Sequence, residues 1–284
     1  MYDICILGRG PAGLSAGIYA VRAGAKTLVL GGTEGALAKA RRIDNYFGIA
    51  SVSGTQLLEL GEAQYTALGG EICAQEVTAA EFAAQGFVLH TPQQTIETKA
   101  VVLAMGRARK RASIEGETDF LGKGVSHCAI CDGFFFKKKK VGVLGSGAYA
   151  ASEASQLMAF TSDVTVFTDG EAPQAEMPCP VETAKLSRLI GDGKLAAAVG
   201  ADGTEYPLDG LFIAKGTAGT AEFALKLGVR TENGNILVDR DGMTALPGVF
   251  AAGDCLGGLC QVATAVGSGA LAGQRAAEFV RRMK

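Results

Sequence analysis

A glycine-rich turn set between an apolar run and a helical stretch of small residues occurs twice in this chain. No other feature narrows the possible folds as far. The first, Gly8-Arg9-Gly10-Pro11-Ala12-Gly13, follows Ile4-Cys5-Ile6-Leu7 and precedes a helical stretch from Leu14 to Ala23, with a further strand at Thr27 to Leu30. A short apolar run closed by a turn signal predicts a buried strand. The glycines then have separate mechanical tasks. Gly8 permits the tight turn, Gly10 lets the backbone approach a pyrophosphate, and Gly13 lets the helix pack closely on the strand. With Pro11 and Ala12 they place the phosphate charge on a helix N-terminus. The competing reading is a glycine-rich turn kept only for packing.

The second turn, Gly145-Ser146-Gly147-Ala148-Tyr149-Ala150, follows the apolar run Val141 to Leu144 and precedes a helix through Ala159 and a strand at Val164 to Phe167. Two βαβ beginnings in 284 residues predict two α/β domains, because a single core rarely grows beyond ~250–300 residues. Tyr149 and the small residues around it leave two options here, a working dinucleotide site or a relic kept for packing.

Cys128-Ala129-Ile130-Cys131-Asp132-Gly133 lies just before the second unit. This order ties a redox-active cysteine pair to a dinucleotide-binding scaffold and predicts an enzyme that passes electrons from a flavin to a disulfide. The pair could instead be half of a zinc site completed by Cys255 and Cys260 or by His127, but the Cys255/Cys260 spacing is loose for that. Cys5 reads as a small core hydrophobe, and His90 as a strand-end residue without chemistry.

Composition narrows the class of molecule. Apolar residues make up 48% of the chain and glycine numbers 40, which suits tight turns and close helix–sheet contacts, since charges are interspersed throughout. No run of ~18 apolar residues is present, so no membrane span is expected. Met1-Tyr2-Asp3 leads at once into the first strand without a basic segment or cleavage site, which predicts a cytoplasmic protein. In such a reducing compartment seven cysteines argue for site chemistry or burial rather than a disulfide framework. The net charge of −2 gives no electrostatic footprint for nucleic acid. Lys137 to Lys140 reads as a solvated turn before Val141, the alternative being a docking patch for an acidic protein.

Five segments in order carry a family resemblance. They are the Gly8–Gly13 turn, Ile43-Asp44-Asn45-Tyr46-Phe47-Gly48, Ala104-Met105-Gly106, Gly124 to Phe135 with its Cys-Ala-x-Cys-Asp-Gly string, and Gly248-Val249-Phe250-Ala251-Ala252-Gly253-Asp254. Together the chain resembles the low-molecular-weight thioredoxin reductases over nearly its whole length. The resemblance implies an α/β fold of two Rossmann-like three-layer domains, the second inserted in the first. Residues 1–111 and 244–284 would form a discontinuous FAD domain, and 112–243 an NAD(P)-binding-like domain carrying the cysteine pair. It implies FAD pyrophosphate on Gly8, Gly10, Pro11, Ala12 and Gly13, ribose or adenine contacts near Glu34 and Asn45, and further cofactor contacts at Met105 and Gly106. The ribityl chain would lie against Gly253 and Asp254, with Gln261 and Val262 approaching the isoalloxazine edge. Glu34 could instead be a loop charge, Asn45 a turn residue, and Asp254 a cap on the last helix.

By the same resemblance Cys131 is the flavin-facing thiol, Cys128 the nucleophile that attacks an external disulfide, and Asp132 the acid–base group. Asp132 could alternatively be a helix N-cap, and His127 an alternative proton donor. A homodimer acting on thioredoxin or a thioredoxin-like protein is implied.

The chain departs from that pattern where electrons would enter. NADPH-using relatives carry a His-Arg-Arg cluster after the second strand of the inserted domain, but here the residues are Phe167-Thr168-Asp169-Gly170-Glu171. Two carboxylates repel a 2′-phosphate, and no arginine follows before Arg188 to replace the bidentate contacts. Pro173, Pro178 and Pro180 crowd the next segment, and Gly257-Gly258-Leu259-Cys260 lacks the Tyr-Arg found before the flavin-contacting Gln. These departures resemble the ferredoxin-dependent flavin thioredoxin reductases, which implies ferredoxin as donor. A reductase linked to NADH or NADPH is the alternative, with Asp169 binding a ribose 2′-hydroxyl. A dithiol oxidase or a flavin-binding regulatory module is the third reading.

Overall fold

A computed structural model describes residues 1–32, 35–106, 114–215 and 220–283, with the side chains of Cys131, Ala221 and Glu222 outside the description. The chain divides into two compact units, Met1–Ala108 with Gly219–Lys284, and Arg109–Ala218.

The first unit is built on β1 (Tyr2–Leu7), α1 (Pro11–Arg22), β2 (Thr27–Leu30), α2 (Gly54–Ala67), β3 (Glu71–Cys73), β4 (Ala79–Ala83), β5 (Gly86–His90) and β6 (Thr95–Leu103). Its seven-stranded sheet runs β3-β2-β1-β6-β5-β4, and Val249–Ala251 also pairs with the second half of β6. The strands from β3 to β6 are parallel, while β4 and β5 form an antiparallel branch. The last four residues of β1 are buried, as are all four of β2, which is the burial expected of strands covered on both faces. Helix α1 starts at Pro11 rather than at Leu14, because proline is favoured at a helix's first position, where its missing N–H is not needed.

The second unit contains β7 (Val125–Ser126), α3 (Ala129–Asp132), β8 (Val141–Leu144), α4 (Ala148–Leu157), β9 (Val164–Phe167), β10 (Val181–Glu182), β11 (Leu186–Gly191), β12 (Leu195–Gly200), β13 (Glu205–Pro207) and β14 (Gly210–Ile213). Five parallel strands run β10-β9-β8-β14-β7, and β11-β12-β13 form an antiparallel meander. Leu186, Leu189 and Leu195 of the meander share a core with Leu144, Phe167 and Leu211 of the parallel sheet. Lys137 to Lys140 are exposed ahead of β8, as a solvated turn would be.

The chain then adds α5 (Thr220–Lys226), the hairpin β15 (Thr231–Glu232) and β16 (Asn235–Ile236), β17 (Val249–Ala251) and α6 (Val262–Arg282). Residues 220–243, which the sequence reading places in the inserted segment, group with the first unit. The reason is contact rather than chain order. Thr220 Oγ1 donates to the Gly106 carbonyl, and Asn235 packs so closely on Gly257 that a Cβ there would lie 2.8 Å from the amide carbon. Asn233 and Gly234, both at positive φ, close the hairpin, as a two-residue turn of this kind requires.

Helix α6 crosses α1 at very short range. A Cβ on Gly269 would lie 2.2 Å from the Ala12 carbonyl oxygen, and one on Gly273 would lie 2.1 Å from that of Ala16. No helix among the described residues is long and apolar enough to cross a membrane.

Candidate functional site

The three glycines of the first turn differ in what surrounds them. Gly8 has φ +120°, its amide donates to the Leu30 carbonyl at 2.7 Å, and a Cβ on it would lie 2.2 Å from the Ala104 carbonyl oxygen. At Gly13 a Cβ would lie 1.8 Å from the Gly8 carbonyl oxygen. Around Gly10 nothing lies within 4 Å of that position. Gly10 is the N-cap of α1, no side chain caps the helix, and its first turn holds no acidic residue. The first amides of a helix have no intrahelical partner and carry partial positive charge, so an open space above Gly10 suits a pyrophosphate. Arg9, which the sequence reading did not single out, forms a two-bond pair with Glu62 of α2 at 2.5 and 2.7 Å. That hydrogen bond raises the Arg9 pKa further and commits its charge to Glu62.

Several other expected cofactor residues gather at the same end of this unit. Met105 and Gly106 follow β6 directly, and a Cβ on Gly8 would lie 2.7 Å from the Met105 nitrogen. Gly253, just after β17, has φ +82°, donates to Ser268 Oγ at 3.0 Å, and would place a Cβ 2.8 Å from that of Ala12. Asp254 is thereby set beside the first turn of α1, at the carboxyl ends of β1, β6 and β17, where open α/β sheets bind ligands. Asp254 opens a short 3₁₀ turn, Asp254–Leu256, and α6 begins only at Val262, so it does not cap that helix. Gln261 is the residue that precedes α6, and its side-chain oxygen accepts from Asn45 Nδ2 at 3.0 Å across 216 residues of sequence. Glu34 lies outside the described residues.

In the second unit Cys128 is buried and disulfide-bonded. The side chain of Cys131 lies outside the described residues. Ser126, at the end of β7, donates to Asp132 Oδ2 at 2.6 Å, while its oxygen accepts the Cys128 N–H at 3.1 Å. On the other side of Cys128, the Ala129 N–H donates to Glu153 Oε2 at 2.8 Å; Glu153 belongs to α4 and is buried. Asp132 sits ahead of a 3₁₀ turn, Gly133–Phe136, without capping it through its side chain. The His127 carbonyl accepts from the Tyr149 hydroxyl at 3.3 Å, and its Nε2 lies 3.6 Å from Glu117 Oε1. Sequence reasoning missed Ser126 and Glu153. The only available signal for Glu153 was a single acid inside the helical run Ala148–Leu157.

The second glycine turn repeats the geometry of the first. Gly147 is the N-cap of α4 with no side-chain cap, and a Cβ on Gly145 would lie 2.2 Å from the Ala214 carbonyl oxygen. Its surroundings differ. Ser146 Oγ donates to Glu171 Oε2 at 2.7 Å, the Gln174 N–H donates to the Ser146 carbonyl at 2.7 Å, and Gln174 Nε2 reaches the same Glu171 oxygen at 3.1 Å. Asp169, at φ +58°, is paired with Lys215 Nζ at 2.5 Å.

Cys5, Cys73, Cys179, Cys255 and Cys260 are free thiols. Burial pushes Cys5 and Cys255 up to about 12, and Cys260 is exposed. Since the thiolate is the reactive form, iodoacetamide at mildly alkaline pH should label Cys260 in the native protein and leave Cys5 and Cys255 unlabelled until the chain is denatured. Peptide mapping by mass spectrometry reads this directly, and native labelling of Cys5 or Cys255 would contradict the burial described.

Residues 2–269 match the family model described as pyridine nucleotide-disulphide oxidoreductase. The chain is 32% identical to a thioredoxin reductase of Listeria innocua, in an alignment covering 100% of this chain and 95% of that protein. Among solved structures, an atypical thioredoxin reductase from Desulfovibrio vulgaris Hildenborough superposes with a TM-score of 0.94 at 37% identity, covering 99% of each chain. A ferredoxin-flavin thioredoxin reductase from Clostridium acetobutylicum gives 0.74 at 30% identity, covering 99% of this chain and 98% of that one.

Proposed function

This chain belongs to the pyridine nucleotide-disulphide oxidoreductases as a flavin-dependent disulfide reductase of the thioredoxin reductase family, and on that premise we propose that it reduces thioredoxin, or a thioredoxin-like protein, with electrons from ferredoxin. FAD is its cofactor and, when bound, supplies the electron pair that opens the disulfide. The Gly8–Gly13 turn would hold its pyrophosphate, and Glu34, Asn45, Met105, Gly106, Gly253, Asp254, Gln261 and Val262 would supply the remaining contacts.

Cys128 and Cys131 form the redox disulfide. Once it is reduced, the Cys128 thiolate attacks the disulfide of the substrate and displaces one of its sulfurs, giving a mixed disulfide. Cys131 then attacks the Cys128 sulfur, which releases the reduced substrate and restores the enzyme disulfide. Asp132 carries the proton to and from these sulfurs. Exposed Phe134 and Phe135 beside the pair offer apolar area to a protein substrate. A homodimer in the cytoplasm belongs to the same reading.

The observation that carries the donor assignment is the internal occupation of the second glycine turn. A carboxylate, Glu171, holds the Ser146 hydroxyl where a dinucleotide phosphate would approach, and like charges at that range repel. Asp169, the residue a ribose 2′-hydroxyl would need, is already paired with Lys215. With pyridine nucleotide disfavoured, a one-electron iron–sulfur donor delivering electrons in two steps balances the two-electron reduction of the disulfide. The test is anaerobic mixing of the holoenzyme with NADPH, NADH or chemically reduced ferredoxin while the flavin absorbance is followed. Ferredoxin should bleach the flavin and the nucleotides should not. Rapid bleaching by either nucleotide would overturn the donor assignment.

A further inference from the structure

The hydrogen bonds around Cys128 assign a role to Ser126, a residue with no part in the scheme above. We propose that Ser126 is a positioning residue that holds the Asp132 carboxylate against the redox loop, so that proton transfer at the cysteine pair depends on it. The inference rests on the acid–base role given to Asp132 under Proposed function.

Ser126 is placed with little freedom. It ends β7, pairs in parallel register with Phe212 of β14, and is buried. Its hydroxyl has one proton and two lone pairs, and its neighbours decide how they are used. The Cys128 N–H points to the oxygen at 3.1 Å and can only donate. The Asp132 carboxylate oxygen lies at 2.6 Å and the Cys128 carbonyl oxygen at 3.5 Å, so the single hydroxyl proton goes to Asp132 Oδ2, the nearer acceptor. A hydrogen bond to a carboxylate at that length is of the charge-assisted, stronger kind. One side chain therefore joins the main chain of the nucleophilic cysteine to the carboxylate four residues further on. Asp132 has a further tie to the same loop, its N–H donating to the Cys128 carbonyl at 3.1 Å. That backbone bond fixes where Asp132 begins. The Ser126 bond fixes where its carboxylate ends.

Two consequences separate this from a merely structural role. First, a threonine hydroxyl at position 126 can make the same bond to the carboxylate, whereas an alanine side chain cannot. Second, a residue that works through Asp132 has nothing left to lose once Asp132 is gone.

The experiment uses flavin-loaded enzyme reduced with dithionite and mixed with oxidised thioredoxin in a single turnover at one fixed pH. Variants S126A, S126T, D132N and the double variant S126A/D132N are compared. S126A should slow the thiol–disulfide step by about tenfold or more, the effect of losing a hydrogen bond to a charged group. S126T should restore the rate. In the D132N background, S126A should change the rate by less than about twofold.

If D132N is slow while S126A matches the parent, the Ser126 role is overturned and the Asp132 role stands. If the two losses multiply in the double variant, Ser126 acts on the Cys128 loop alone and the proposal also fails. Should D132N itself run at the parental rate, the acid–base reading beneath it is what fails. If S126A does not retain flavin, S126V, the apolar counterpart of S126T, replaces it with the same expected outcomes.

Discussion

Replacing Cys128 with serine is expected to cut thioredoxin reduction by at least about 10³-fold while the protein keeps its FAD, its fold and its colour. The loss is large because a hydroxyl is a far weaker nucleophile than a thiolate near neutral pH, and removing a covalent nucleophile leaves only background chemistry. The fold should persist because serine is no larger than cysteine and the bonds fixing this loop are made by the main chain. The Cys128 N–H goes to Ser126 and the Ala129 N–H to Glu153. Flavin should persist because the Gly8–Gly13 turn belongs to the other unit. A turnover assay with chemically reduced enzyme and thioredoxin measures the loss, and the absorbance spectrum reports the flavin.

Cys131→Ser supplies the contrast. With Cys128 intact and its resolving partner gone, the first attack proceeds and the mixed disulfide accumulates, visible as a covalent enzyme–thioredoxin band on a non-reducing gel. If instead C128S formed that band and C131S did not, the two sulfurs would exchange roles. Full activity in C128S would remove the covalent mechanism altogether.

What could be read from residue order follows the range of each interaction. The two glycine turns, the strands beside them and the cysteine pair are local signals, and β1, β2, β8 and β9 lie where apolar periodicity puts them. Sequence alone named Asn45 and Gln261 but could not join them, since their bond spans 216 residues. Arg9 and Glu62 were invisible as a pair for the same reason. Ser126 and Glu153 matter because backbone donors next to Cys128 need acceptors, a demand that exists only once the loop has its folded shape. The second crossing between units moved because α5 and the β15–β16 hairpin are held by Gly106 and Gly257. Neither contact has a compositional mark. At Asp254 the alternative of a helix cap failed on distance along the chain, since the 3₁₀ turn and a glycine-rich stretch intervene before α6.

The second large effect separates a glycine needed for packing from one needed for the ligand. At Gly13 a Cβ would fall 1.8 Å from the Gly8 carbonyl oxygen. That overlap is with backbone, so no side-chain rotation relieves it, and α1 must move off β1. Helix α1 is in turn pinned by α6, whose Gly269 and Gly273 already meet its backbone, so the displacement spreads into the core of the first unit. Gly13→Ala should therefore destabilise that unit by about 3 kcal/mol or more, at or beyond the upper end of ordinary overpacking, and FAD should be lost with it. Gly10 presents the opposite case. Its Cβ position meets nothing within 4 Å, so Gly10→Val should leave the melting temperature of the flavin-free protein within a few degrees of the parent. Its side chain would nevertheless fill the space above the α1 N-terminus where the pyrophosphate must come close to the backbone. FAD affinity should fall by about a hundredfold or more, the loss of roughly 3 kcal/mol of phosphate contacts. Thermal melts of the flavin-free proteins and flavin fluorescence titrations measure the two quantities separately. Tight FAD binding by Gly10→Val would place the pyrophosphate elsewhere, and an unchanged melt for Gly13→Ala would mean that the turn and helix are not held as closely as described.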